Sequence, residues 1–214
     1  MTDRLEKIFS VIPNCQTFAD IGCDHGYISF AMLERKKCNH VIISDVSKEC
    51  LKKAETLLAD YILNGQATAV VSDGFDNVGT SDVSLIAGMG GKEITEILKK
   101  AQNLPNTLVL QPMKNTPEVR KTLVGLGYEI LSDYIFKAET KYYDLIVAKK
   151  GQDSLTDLEI EFGRTNLTEK PNDFIEYVNI NVTKLKKYSS NPKMSEEDKQ
   201  KLINQIEVLE KCIR

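Results

Sequence analysis

The sequence predicts an α/β fold: a parallel sheet with helices on both faces, ended by an antiparallel hairpin and followed by a helical hairpin. Three observations predict it. Residues 1–150 alternate short β-branched runs with segments of helical period, and alternating βα units imply a parallel sheet. The stretch "YEILSDYIFKAETKYYDLIVAKK" reads as two long strands separated by a few residues, hence an antiparallel hairpin. After Gly151 the strand pattern stops and two amphipathic stripes follow. The expected division is a sheet domain over 1–150 and a helical domain over 151–214.

Each element has a local reason. "LEKIFSVI" sets Leu5, Ile8, Phe9 and Ile12 on one helix face. "QTFADIG" is strand 1, with a helix from Gly26 to Lys37 after it, and "HVIISD" is strand 2. Ser47 is an N-cap for a single helix running to about Leu63, stopped by Asn64-Gly65. "ATAVVSDG" and "SDVSLIAG" are strands 3 and 4, "KEITEILKKAQ" is a helix, and "NTLVLQP" is strand 5. "TPEVRKTLVGLG" is a helix with Pro117 in its first turn. "DSLTDLEIEFGRTNLTEKPND" reads as a connector. Phe174, Val178, Val182, Leu185 and Tyr188 then approach a heptad seam, and Pro192 breaks the run. Ser195 with Asp198 starts a second helix, whose stripe is Leu202, Ile206, Leu209 and Ile213. Two such helices joined by a short loop make an antiparallel αα-hairpin.

Composition excludes several classes. No uncharged apolar stretch approaches the roughly 18 residues of a membrane span. "MTDRLEKIFS" carries acidic residues and no long apolar run, unlike a signal peptide. Five cysteines without metal-site spacing, and only two histidines, suggest reduced thiols in a cytoplasmic protein with no metal. The net charge of −3 argues against a basic coat for nucleic acid. Residues 151–214 hold 10 Lys and Arg against 12 Asp and Glu, so the hairpin is no basic arm either. Nothing suggests an obligate protein partner.

In a parallel α/β sheet, ligands bind beyond the carboxyl ends of the strands. Four strand ends here are polar or glycine-rich, in order, with 15–28 residues between them. The first is Asp20-x-Gly22-x-x-x-Gly26, where Gly22 turns the chain off strand 1 and Gly26 lets the next helix approach. Asp20 and Asp24 are unwelcome beside a pyrophosphate, whereas a ligand with a positive end suits them. Asp45 ends strand 2, where a carboxylate can accept both hydroxyls of a ribose or simply cap the next helix. Asp73-Gly74 ends strand 3, with Asp73 able to accept an adenine amine and Gly74 able to admit the ring, or a plain turn. "IAGMGG" ends strand 4, and three glycines suggest a backbone pressed against a ligand. The ammonium and sulfonium of S-adenosylmethionine fit this set better than a dinucleotide does. A sheet closed by a reversed strand is also the Rossmann-like form found in class I methyltransferases.

"ADIGCDHGY", "SDGF", "IAGMGG", "LVLQP" and "KYYDLIVA" resemble the TrmK family along the whole chain. These are bacterial S-adenosylmethionine-dependent enzymes that methylate N1 of adenine 22 in the tRNA D arm. The family more often shows Ala-Tyr-Leu-Pro where this chain has Gly26-Tyr27-Ile28-Ser29. It also often carries Gly-Pro where this chain has Lys48-Glu49. The resemblance implies a C-terminal coiled-coil domain and cofactor contact by Asp20, Gly22, Asp45, Asp73, Gly74 and the turn of Ala87, Gly88, Met89 and Gly90. Cys23, Gly26 and Val46 complete that expected set, although a small residue in a tight turn also explains Cys23. Asp24 becomes the leading catalytic candidate, with Tyr27 stacking on the target base or packing. For the tRNA, the expected contacts are Arg4, His25, Gln111, Lys141, Tyr142, Lys184 and Lys187, with Lys193, Lys199 and Lys201 as further phosphate contacts. A solvated helix face accounts equally well for the hairpin lysines. Three rivals stand beside this reading: a methyltransferase of another RNA, small-molecule or protein substrate, a nicotinamide-dependent oxidoreductase, and a non-catalytic binding protein.

Overall fold

A computed structural model describes residues 1–191 and 194–214. Pro192 and Lys193, the expected helix breaker and one expected phosphate contact, lie outside the described residues. Helix α1 (Asp3–Val11) leads into β1 (Thr17–Ile21), α2 (Tyr27–Glu34), β2 (His40–Asp45), α3 (Lys48–Leu57), α4 (Ala59–Leu63) and β3 (Ala67–Val71). Then come β4 (Val83–Met89), α5 (Gly91–Lys100), β5 (Thr107–Pro112), α6 (Thr116–Gly125), β6 (Tyr128–Ala138) and β7 (Lys141–Lys150). The chain ends in α7 (Asp157–Phe162), α8 (Arg164–Glu169), α9 (Asn172–Ser189) and α10 (Glu196–Ile213). No helix among the described residues is long and apolar enough to cross a membrane.

The seven strands form one sheet in the order β3-β2-β1-β4-β5-β7-β6. The first five are parallel, while β7 runs antiparallel to both β5 and β6. The reversed hairpin expected from "YEILSDYIFKAETKYYDLIVAKK" is therefore present. The order reverses between β1 and β4, which opens a crevice at their carboxyl ends. Side chains alternate across the sheet with period two. Phe18, Val41, Ile43, Leu85 and Val109 face the layer of α1, α2 and α3, where Ile8 and Met32 are fully buried. Ala19, Ile21, Ile86, Leu108 and Leu110 face α5 and α6 through Leu98, Val119 and Leu123.

Two local expectations change. The helix read from Ser47 to Leu63 is split at Leu58, whose ψ of 16° breaks the helical path while its side chain stays fully buried. Above it, Tyr61 swings out to donate to Glu34 at 2.9 Å. The connector after Gly151 folds into α7 and α8. Thr156 and Glu159 form a reciprocal capping box at the start of α7.

This short helical segment finishes the sheet. Strand β6 is an edge, and side chains accept its outward N–H groups. Asp153 Oδ2 takes Ile130, Thr165 Oγ1 takes Asp133, Asn166 Oδ1 takes Ile135 and Asp173 Oδ2 takes Lys137, at 2.9 to 3.0 Å. A register shift between Ile130 and Ser132 sets Leu131 out of the ladder and turns the spacing from two to three. The edge is thereby closed to another strand. Arg120 of α6 ties this layer down. Its Nε donates to Asp133 Oδ2 at 2.8 Å and its Nη1 to the Ile160 carbonyl at 3.0 Å, ending α7. Asp133 also accepts the N–H groups of Arg164 and Thr165. Gly163 has φ +88°, and a Cβ there would lie 2.9 Å from both Arg120 Nη2 and the Asp133 carboxylate. Beyond it, Phe174, Val178 and Val182 of α9 pack with Ile206 and Cys212 of α10 and with Ile135.

Arg120 and Asp133 are 1% and 0% exposed, so removing the cation leaves a buried charge without its partner. Arg120→Met is expected to destabilise the protein by about 3–5 kcal/mol, read as a lowered urea midpoint. A loss below ~1 kcal/mol would contradict this role.

Candidate active site

The loop leaving β1 is pinned to the end of β2. The N–H groups of Gly22 and Cys23 both donate to the Ser44 carbonyl, at 2.8 and 2.9 Å. The Asp24 N–H donates to Asp45 Oδ2 at 3.3 Å, while Asp45 Oδ1 accepts from the Ser47 N–H at 2.9 Å. Ser47 itself caps α3 by accepting from the Cys50 N–H. Asp45 therefore bridges two loops, and Ser47 rather than Asp45 is the helix cap. Left-handed φ values at Gly22 (73°), Asp24 (46°) and Gly26 (71°) coil the loop tightly. A Cβ on Gly22 would fall 2.0 Å from Met89 Cε, so the ends of β1 and β4 meet across this glycine.

Carboxylates gather here. Asp20 is 5% exposed and accepts from Ser29 Oγ at 2.8 Å. Burial pushes its acid up to about 6, opposed by the Ser29 hydrogen bond and reinforced by the negative Asp45 nearby. The same burial, with Asp20 and Asp45 beside it, raises the Cys23 thiol far above its ordinary range, so it stays protonated and inert. Asp24 is by contrast 65% exposed. His25 Nε2 lies 3.8 Å from Asp24 Oδ2, and the His25 ring stacks on Tyr27 with centroids 5.4 Å apart. Asp24, His25 and Tyr27 thus form an open ledge at the start of α2, above the buried Asp20.

The other strand ends complete the crevice. Val46, beside Asp45, is 73% exposed and presents a bare apolar face. Asp73 pairs with Lys100 at 3.0 Å, a lysine that also holds Asp76. Gly74 has φ 58°, and a Cβ there would lie 2.9 Å from Ile97 of α5, so packing within the chain already requires this glycine. In the β4 turn, Ala87 leads into a register shift at Gly88, with φ 79°. Gly90 caps α5. A Cβ on Gly91 would lie 2.5 Å from the Lys114 carbonyl, so this glycine is pressed against the β5–α6 loop and not against open space.

The residues expected to meet tRNA separate into groups. Arg4 reaches over from α1, donates to Gln111 Oε1 at 2.9 Å and lies 5.7 Å from the centre of the Tyr143 ring. Gln111 is fully buried, with its Nε2 on the Pro112 carbonyl, and it supports Arg4 from beneath the surface. Tyr142 packs edge-on to Tyr177 of α9, under Lys137, and so faces the C-terminal helices. Lys141 is exposed at the tip of the β6–β7 hairpin. Lys184 and Lys187 are exposed on α9, apart from the β1 loop. Lys199 and Lys201 pair with acidic residues of their own helix. Sequence reading missed Ser44, which acts through its backbone carbonyl, and Ser29, which acts through a partner nine residues away. It also missed Lys114 and Asn115, although "QPMKN" follows a strand end as the other four segments do.

A family model described as a methyltransferase domain matches residues 1–146. The tRNA (adenine(22)-N(1))-methyltransferase of Bacillus subtilis is 28% identical over 156 residues, covering 71% of this chain and 66% of that protein, just under two thirds of its length. The structure of M. capricolum TrmK with S-adenosyl-homocysteine superimposes with a TM-score of 0.87 at 25% identity, covering 100% of this chain and 99% of the other. The B. subtilis M1A22 tRNA methyltransferase TrmK shares the fold, with a TM-score of 0.83 at 24% identity over 100% and 99% of the two chains. With most of its length inside that family model, the chain belongs to the methyltransferase domain family.

Proposed function

We propose that this chain is a tRNA methyltransferase of the bacterial cytoplasm that transfers a methyl group from S-adenosylmethionine to N1 of adenine 22. The observation that carries this reading is the cluster of Asp20, Asp24 and Asp45 around the start of α2, at the crevice between β1 and β4. A dinucleotide pyrophosphate would meet three carboxylates there, whereas a ligand with an ammonium and a sulfonium meets attraction. The likeness to TrmK proteins supports the choice of tRNA as partner.

The residues divide the work. When bound, S-adenosylmethionine supplies the electrophilic methyl on its sulfonium. Asp45, fixed by the Asp24 and Ser47 N–H groups, keeps lone pairs for the ribose hydroxyls, and Val46 offers an apolar face to the adenine. Asp73 receives the adenine amine beside its Lys100 partner, with Gly74 shaping the turn. Asp20 attracts the ammonium end. Ala87 to Gly90 would offer backbone to the cofactor, with Met89 packed against Gly22. The N1 lone pair of adenine needs no base to make it nucleophilic, so alignment supplies much of the rate. The ring becomes cationic as the methyl arrives. The open carboxylate of Asp24 stabilises that charge and can take a proton from N6. Tyr27 would support the extruded base, and Arg4, held by Gln111 beside Gly88, would meet its phosphate.

The test is methylation of unmodified tRNA with labelled cofactor, followed by mapping of the modified base. N1-methyladenine at position 22 is expected, and label on another base or on no RNA would overturn the reading. A second outcome follows from Asp20. Its raised acid, at about 6, means that its share of stability without ligand is greatest below the ordinary carboxylate range and is lost as pH rises through 6. A cation bound against it has the opposite need, because only the ionised form attracts an ammonium. S-adenosylhomocysteine affinity, measured by calorimetry, should therefore fall by about tenfold from pH 7 to 5 and become nearly pH-independent in Asp20→Asn. A flat profile in the native protein would contradict the assignment.

A further inference from the structure

A cleft of about 890 Å³ lies between the β5–α6 loop, the start of β7, and helices α7, α9 and α10. We infer that it is a second nucleotide subsite, taking one unpaired nucleotide of the RNA that flanks the target adenine. The inference rests on the tRNA reading and adds where the RNA goes after it leaves the β1–β4 crevice.

Continuity with the reaction centre comes first. The Met113 N–H donates to the Met89 carbonyl, and the Gly91 N–H donates to the Lys114 carbonyl, both at 2.8 Å. The wall of the cleft is thus hydrogen-bonded to the glycine turn that faces the cofactor crevice. An RNA whose target base enters that crevice has its neighbours over Met113, Lys114 and Asn115, all exposed.

The lining has the chemistry of a base site. Tyr188 is 60% exposed, a large aromatic left open to the cleft on α9. Base–aromatic stacking is the usual source of affinity for unpaired nucleotides and is tolerant of sequence. Asn115 and Gln205 are exposed amides in the same lining, able to meet a base edge with both donors and acceptors. Lys114 and Lys184 border it without an ion-pair partner among the described residues, which leaves them for phosphate. Acidic groups also line the cleft. Asp144 is committed, accepting from Thr116 Oγ1 at 2.8 Å and lying 3.5 Å from Arg120 Nη2. Asp157 and Glu161 sit on α7, the opposite wall from α9, where a carboxylate can accept from an exocyclic amine but would repel phosphate. That asymmetry orients the nucleotide, with its phosphate away from α7 and toward Lys114 and Lys184.

The test uses the double variant Tyr188→Ala, Gln205→Ala, both positions being exposed, since Tyr188, expected on the seam, lies outside the packed stripe of the hairpin. Its KM for tRNA should rise about tenfold or more, with kcat and the S-adenosylhomocysteine Kd within about twofold of the native values. A series of tRNAs with single abasic substitutions at the unpaired nucleotides near the target locates the partner. One of them should raise the native KM by the same factor and add nothing further in the variant. An unchanged KM, or abasic effects that add to the variant's at every position, would overturn the subsite while leaving tRNA methylation intact. Absence of methylation of any RNA by the native protein would instead overturn the functional reading, and this inference with it.

Discussion

The site depends on one backbone clamp: the Ser44 carbonyl receiving two N–H groups from the loop after β1, with the Asp45 carboxylate receiving a third. The parallel register of β1 against β2 delivers these acceptors to the place where Gly22, Cys23 and Asp24 need them. The N–H of buried Cys23 would otherwise lack a partner, at a cost of about 1–3 kcal/mol. The clamp has a chemical consequence. It turns the Asp24 side chain outward to solvent while Asp20, four residues earlier, stays buried below. Two carboxylates of one short segment thus have different environments, one suited to attracting a cation from beneath and the other to meeting charge that develops above.

The C-terminal layer is bound to this frame by polar contacts as well as by apolar ones. Four side chains from residues 153–173 accept the outward N–H groups of β6, and Arg120 joins α6, β6 and α7 through buried hydrogen bonds. Such contacts are directional, so they fix where α9 and α10 stand relative to the strand ends. The apolar cluster of Phe174, Val178, Val182 and Ile206 then holds the two long helices to each other and to Ile135. The result is a wall facing the β5–α6 loop, and the cleft between them has a defined shape.

The sheet was legible because its signals are local. Period-two runs, glycine turns and the Pro117 helix start gave the strands, their sequence and the reversed hairpin. What escaped notice depends on partners distant in sequence. Helices α7 and α8 are only six residues each, and they are held by Arg120 and Asp133, which no periodicity reveals, although Thr156 and Glu159 carried a capping signature. Gln111 looked like a polar residue at a strand end, and only the packing of α1 across it shows that Arg4 uses it. Gly74 and Gly91 looked like room for a ligand, yet Ile97 and the Lys114 carbonyl already occupy those sides. Tyr142 was expected as an RNA contact from its place at the start of a strand, and only the fold shows Tyr177 of α9 packed edge-on against it. In the site, acidic residues at strand ends could be read from sequence, whereas their degree of burial, which separates Asp20 from Asp24, could not.

That separation is the core of the account, and Asp24→Asn isolates it. Asparagine tolerates the left-handed backbone of residue 24 and keeps the N–H that donates to Asp45, so the loop should hold its shape. The decisive measurement is single-turnover methyl transfer to tRNA at saturating cofactor and RNA. The expected rate is about 10²-fold below the native one, with S-adenosylhomocysteine affinity unchanged. A native rate, or a loss of cofactor affinity equal to the loss of rate, would contradict it.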